Sequence, residues 1–213
     1  KISKSAGNII DPFAVADEFG VDAIRYFLMR EVPFGGDGEY SRDAIIRRRN
    51  TDLANEFGNL VSRVLTMTDK YNNGEVPPCG EMDASSRELK ETAERAVAEL
   101  DKHINALAFN LALTSVWELV KLANQYVEKS APWNLAKKGA ADELNRVLYC
   151  ALEAIRLSAL MIYPFMPDTA VKTAKQLGLG EALFAGGFDK ASKWGGLASG
   201  VIVAKGEILF PKT

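Results

Sequence analysis

The sequence is poor in the residues that usually carry chemistry. In 213 residues there is one histidine, His103, and there are two cysteines, Cys79 and Cys150. Neither cysteine has a partner at CxxC or CxxH spacing, so the sequence predicts no metal site built from this chain alone. Triad catalysis leans on a positioned histidine, and His103 stands in the charged helical run Asp101-Lys102-His103, where it reads as a structural or surface residue. No apolar run approaches the roughly 20 residues of a membrane span, and no basic-then-apolar signal segment opens the chain. The expected compartment is the cytoplasm, with no membrane partner. A basic excess is missing too: 26 Lys and Arg stand against 28 Asp and Glu, a net charge of -2. That excludes a generic polyanion binder, whose affinity rests on positive surface. A local patch stays open, because Arg42, Arg47, Arg48, Arg49 and Arg63 fall in one predicted helix, a run that also reads as a solvated helix face.

What is present suits a helical protein. With 47% hydrophobic and 25% charged residues, the chain can bury the core of one domain or one and a half. Residues 1 to about 10 read as a loop of small and polar side chains. Asp11 then caps a short helix with Pro12 in its first turn, and a second helix covers about Asp22 to Arg30. The Gly-dense turn Pro33-Phe34-Gly35-Gly36-Asp37-Gly38 separates this small part, 1–40, from a helical domain, 41–213. Ser41 is the predicted N-cap of a long helix whose buried face is Leu53, Phe57, Leu60, Val61 and Val64. Asn72-Asn73-Gly74 ends it and Pro77-Pro78 prevent its continuation.

Asp83 caps the next helix, with Leu89, Ala93, Ala96, Val97 and Leu100 inward. After a junction near Asn105 to Asn110, another buries Leu113, Val116, Trp117, Val120, Leu122 and Ala123. Ser130-Ala131-Pro132-Trp133 reads as the capped start of a short helix. Long helices are expected at about Asp142 to Tyr163 and Pro167 to Leu177. The Gly-rich end, 186–213, offers Val201-Ile202-Val203 and Ile208-Leu209-Phe210 as short strands. The expected fold is all-α, a helical bundle with a small extended C-terminal tail.

Three patterns carry candidate chemistry. In Lys1-Ile2-Ser3-Lys4-Ser5, two lysines three apart in a flexible loop can close over a triphosphate and stabilise the charge that builds as pyrophosphate leaves; the same residues also fit a solvated tail. Asn55, Asn59 and Arg63 recur every four residues. They line one helix face turned about 140° from the apolar stripe, and two amides and a guanidinium suit unpaired base edges as well as they suit a wet surface. Trp133, just inside a helix start behind Pro132, offers a flat face on which an extruded base can stack, worth about 1–3 kcal/mol. A Pro-Trp pair can equally pack its helix onto the bundle. Trp117 reads as core, and Trp194 lies in the tail.

The first pattern resembles the KMSKS loop of class I aminoacyl-tRNA synthetases, with Ile2 in the methionine place. Its continuation is similar to methionyl-tRNA synthetases in order and spacing: Gly7-Asn8-Ile9-Ile10-Asp11-Pro12, Asp22-Ala23-Ile24-Arg25-Tyr26-Phe27-Leu28, and Phe34-Gly35-Gly36-Asp37-Gly38-Glu39-Tyr40-Ser41. So are Asn50 through Arg63 and Asn124-Gln125-Tyr126 with Ala131-Pro132-Trp133. The resemblance implies part of a methionine–tRNA ligase, whose parent enzyme uses ATP with Mg. Lys1, Ile2, Ser3, Lys4 and Ser5 would bind ATP, with Lys1, Ser3 and Lys4 catalytic. Asn55, Asn59, Arg63, Pro132 and Trp133 would bind the CAU anticodon of tRNA(Met), Trp133 stacking on its first base.

The HIGH signature, the methionine pocket and, where it exists, the family's zinc knuckle belong to a half preceding Lys1, so the expectation is a fragment that forms no adenylate by itself. A start on the first residue of the signature loop suggests an engineered or proteolytic piece. The end at Glu207-Ile208-Leu209-Phe210-Pro211 resembles that of members without a dimerisation domain, which favours a monomer. The alternatives are a leucine-, isoleucine- or valine-type synthetase, or a non-catalytic helical tRNA-binding module.

Overall fold

Caps and prolines decide where several of the helices begin. In the computed structural model, which describes residues 11–36 and 41–211, the Asp11 carboxylate accepts the Phe13 N–H at 2.9 Å and Pro12 opens α1, Pro12–Phe19. α2 spans Val21–Glu31. Ser41 Oγ accepts the Ala44 N–H at 3.3 Å and starts α3, Arg42–Arg48, which runs without a break through a π-helical segment, Arg49–Gly58, into α4, Asn59–Asn72. Asn73, in the left-handed region at φ 53°, ends that run. Asp83 accepts the Ser86 N–H at 2.8 Å at the head of α5, Ala84–Asn105. Then follow α6, Phe109–Ser130, α7, Pro132–Lys138, α8, Ala141–Ile162, and α9, Pro167–Gln176. Two single turns, α10, Ala182–Ala185, and α11, Phe188–Ala191, precede an extended tail.

α8 is the axis of the bundle. Every residue from Val147 to Ile162 is buried, so this helix is covered on all sides, chiefly by α5, α6, α4, α7 and α9. The stripes expected on the other helices are where they were read, except that Val97 and Leu122 are only partly buried against the core. Leu53, Phe57, Leu60, Val61 and Val64 are all buried, as are Leu89, Ala93, Ala96, Leu100, Leu113, Val116, Trp117, Val120 and Ala123.

The N-terminal part is tied to the same core. Ala23 and Tyr26 of α2 lie in it. Arg25 donates to the Phe165 and Pro164 carbonyls at 2.7 and 2.9 Å, and Asp22 accepts the Thr169 N–H at 2.6 Å, serving one of the free donors in the first turn of α9. The Asp22–Arg25 motif that is similar to the synthetases therefore also has a structural role, joining α2 to the ends of α8 and α9.

A buried ion pair organises the tail. Glu153 and Arg156, one turn apart on α8, have 0% and 2% exposure and meet at 2.7 and 2.8 Å. The Glu153 carboxylate also accepts the N–H groups of Gly195, Gly196 and Leu197, and Arg156 donates to the Ala191 and Lys193 carbonyls. A β-carbon at Gly196 would lie 2.8 Å from Arg156 Cζ, so a side chain there would push the guanidinium from its place.

Beyond this knot the tail runs past 74–76. Gly200 donates to the Val76 carbonyl, Val76 to that of Val201, and Val203 to that of Gly74. The two expected strands do not form. Among the described residues the tail makes one isolated antiparallel bridge, Glu75 with Ile202. The partner stretch is too short, since it is bounded by Gly74 at φ 74° and by Pro77-Pro78, which cannot donate. At 208–210, burial of Phe210 replaces backbone pairing.

Replacing Glu153 by alanine strands a buried guanidinium and three N–H groups. Urea unfolding is expected to show a loss of about 3–5 kcal/mol, and limited proteolysis to cut first between 191 and 203.

Candidate nucleic-acid interface

The helix that carries the polar triplet is not the uniform α-helix that the periodicity predicts. Between Arg49 and Gly58 the winding widens to π, and Asn59 donates to the Ala54 carbonyl five residues back. Gly58 sits where a β-carbon would come within 3.1 Å of the Leu53 carbonyl. Neighbouring helices impose the change. Trp117 and Asn124 of α6 donate to the carbonyls of Asp52 and Glu56, at 3.4 and 3.0 Å. Tyr26 donates to the Asp52 carboxylate at 2.7 Å, and the buried Arg49 donates to the carbonyls of Phe19 and Pro211. A π turn frees carbonyls from the regular ladder, and side chains of α6 take up two of them.

The widening leaves the triplet on the surface. Asn55 in the π segment and Asn59 in α4 are exposed. Arg63 is half-exposed and meets Glu128 of α6 at 2.9 Å. Glu128 keeps 65% of its side-chain surface in water, so this pair is worth about 0–1 kcal/mol and holds Arg63 only lightly.

α6 continues through Ser130, so Ser130 is not the cap of the following helix. That position belongs to Ala131, in the left-handed region at φ 46°, with no side-chain cap. The sharp turn rests on backbone bonds, Ala131 N–H to the Val127 carbonyl and Asn134 N–H to that of Ala131, and on Pro132 at the first helical position. Pro132 is buried and Trp133 half-buried, while Leu135 packs on the core. α7 packs against α4 and α8. The fold thus sets Trp133's helix beside the one that carries Asn59 and Arg63, and Glu128, near the end of α6, meets Arg63. Lys1, Ile2, Ser3, Lys4 and Ser5 lie outside the described residues.

The arginine run proves structural in part. Arg42 pairs with Glu18, Arg48 with Glu31 and Asp52, and Arg49 is buried; Arg47 is exposed. His103, with 19% of its side chain exposed, rests 3.2 Å from Glu99, and Trp194 packs against the core. Among the described residues no three His, Cys, Asp or Glu side chains are grouped to share a metal ion, and no helix is long and apolar enough to cross a membrane.

Sequence reasoning gave Glu56 no role and took Asn124 only as part of a motif, without its bond to the π segment. Asn124 follows Val120 by four residues on an otherwise apolar stripe, and a polar residue there is a signal that it serves a buried partner. Glu56 lies between Asn55 and Asn59, 3.9 Å from Lys121, and its Oε2 is buried without a hydrogen-bond partner among the described residues. Burial raises its carboxyl above the ordinary range, Asp52 adds to the rise, and Lys121 and Arg48 oppose it.

Comparison with known proteins places this arrangement. Residues 1–65 match the family model of tRNA synthetases class I (M), which sets the class. Residues 76–213 match the anticodon binding domain of methionyl tRNA ligase, and the chain belongs to the methionyl-tRNA synthetase family. It is 43% identical over 213 residues, all of this chain and 33% of the relative, to the methionine–tRNA ligase of Caldanaerobacter subterraneus. It is 46% identical over 181 residues, 84% of this chain and 35% of the relative, to that of Mycobacterium tuberculosis. The solved structure of the Mycobacterium tuberculosis methionyl-tRNA synthetase in complex with methionyl-adenylate superposes with a TM-score of 0.92 at 40% identity, covering 99% of this chain and 41% of that one. The chain spans about a third of the length of the curated relatives it matches.

Glu56 gives a pH signature. A carboxyl raised in the folded state binds its proton more readily there than in the unfolded chain, so stability falls as pH rises through the folded pKa. Glu56→Gln is expected to be more stable than the parent at pH 7, and to lose that part of the gain seen on mild acidification. Thermal unfolding of both proteins from pH 4 to pH 8 checks it.

Proposed function

We propose that this chain is the anticodon-reading part of a methionine–tRNA ligase and that it selects the CAU anticodon of tRNA(Met). One observation carries the reading: three outward polar groups, Asn55, Asn59 and Arg63, stand on a helix packed against the one that carries Trp133. Unpaired bases can be read there by amide and guanidinium hydrogen bonds to their edges and by stacking on the indole face. Pro132, buried at the first position of α7, fixes where Trp133 emerges. Arg63 exchanges its exposed contact with Glu128 for a base at little cost.

Residues 1–40 act as the signature loop and its link to the bundle, and 41–213 as the anticodon domain. Lys1, Ile2, Ser3, Lys4 and Ser5 serve ATP, taken with Mg in the parent enzyme, with Lys1, Ser3 and Lys4 at the reacting phosphates. This rests on the sequence of the loop and on the family. The full ligase couples methionine to ATP and passes it to tRNA in the cytoplasm, with the missing N-terminal half as its other part and the chain working as a monomer.

The test is binding of this chain to a CAU anticodon stem-loop, against the same stem-loop with its first anticodon base changed to A, at one fixed salt concentration. A preference for CAU of about tenfold or more, lost in Trp133→Ala, is expected from a stack of about 1–3 kcal/mol. Equal binding to both overturns the reading for this piece. No ATP–pyrophosphate exchange is expected of the chain alone, and any such activity refutes that expectation.

A further inference from the structure

Cys79 and Cys150 take no part in the interface above, yet the fold brings their sulfurs to 3.9 Å across 71 positions of sequence. Both are free thiols. Cys150 is buried on α8, and Cys79 is half-buried in the connector between α4 and α5. That connector is fastened on both sides of Cys79. Residues 74–76 bond to the tail at 200–203. Arg146 of α8 donates to the Glu81 carbonyl at 3.3 Å and meets Asp83 at 3.1 Å. Between these anchors lies Gly80, at φ +64°, around whose added β-carbon there is nothing within 4 Å. The segment next to Cys79 thus has room to shift while its ends stay put.

We propose that Cys79 and Cys150 are a dithiol modification site, which a low-molecular-weight disulfide converts to an intramolecular bridge. A disulfide needs its sulfurs about 2.05 Å apart, so the pair must close by about 2 Å, within reach of side-chain rotation and a small connector shift. The half-exposed Cys79 loses its proton and attacks the reagent, forming a mixed disulfide and expelling one thiolate. Cys150 then loses its proton and attacks the Cys79 sulfur, expelling the second thiolate. Two protein thiols become one disulfide, and the reagent is reduced to two thiols.

Burial pushes both thiols up, Cys150 to about 12. Arg146 partly offsets the rise at Cys79. The reaction is therefore slow, and excess reagent and hours are its conditions. The bridge would staple the connector to α8 and enclose α5, α6 and α7 in one covalent loop.

The chain has no other cysteine, so the test is unambiguous. The purified chain is held for hours with excess glutathione disulfide, quenched in acid, and digested without reduction for mass spectrometry. The expected product joins the Cys79 and Cys150 peptides with the loss of two hydrogens, leaves no free thiol in denaturant, and raises Tm by roughly 5–10 °C until a reductant reverses it. Cys150→Ala is expected to stop at a glutathione adduct on Cys79 with no gain in Tm. Cys79→Ala is expected to leave Cys150 unmodified, a separate check should the core variant fail to fold. Two free thiols after treatment of the parent chain overturn the proposal. So does a Cys79 adduct that accumulates in it without the cross-link, or a bridge that joins two chains.

Discussion

Two charges buried on α8 hold much of this structure in place. Glu153 and Arg156 neutralise each other, but a carboxylate and a guanidinium sealed from water must also fill their remaining hydrogen-bonding positions. The tail between 191 and 197 supplies five backbone partners, and it can do so only by passing close over the helix, where Gly196 leaves room for Arg156. Once there, the tail continues past 74–76 and on to Arg49, which bonds the Pro211 carbonyl. A pairing on the central helix thus reaches the head of the π segment through the last residues of the chain.

The π segment is where packing and the proposed recognition meet. It is bonded by Trp117 and Asn124 from α6, by Tyr26 from α2, and through Arg49 by the tail. These contacts hold its inner side while Asn55 faces water. The cost of placing polar groups on so constrained a helix shows at Glu56, whose carboxylate is half-buried and incompletely satisfied. A rigid helix that presents outward amides beside a tryptophan's helix would bind bases with little loss of side-chain freedom, the advantage of a preformed site.

Much of the fold could be read in advance because helix boundaries depend on local chemistry. Asp11, Ser41 and Asp83 cap as their side chains dictate, Pro12, Pro132 and Pro167 open helices, and Asn73 closes one. Three readings needed correction, because distant partners or an unfavoured backbone conformation decide them. The π winding depends on carbonyl partners in α6, and the end of α6 depends on a left-handed alanine that no propensity favours. The tail pairs at one bridge because its partner is hemmed in by a glycine and two prolines. The arginine run stayed open between two readings for a related reason: spacing shows that charges share a helix, and only packing shows that Glu18, Glu31, Asp52 and two backbone carbonyls engage three of them.

By itself the sequence determined the all-α class, most helix starts, the buried stripes and, through its motifs, the family. Each of these depends on residues near one another in the chain or on their order along it. Only the tertiary structure decided which polar residues remain free for a ligand. Asn55 and Asn59 stay in water while Asn124 and Arg49 are drawn inward, because whether a side chain meets water or a buried carbonyl depends on what packs against it from far away in sequence.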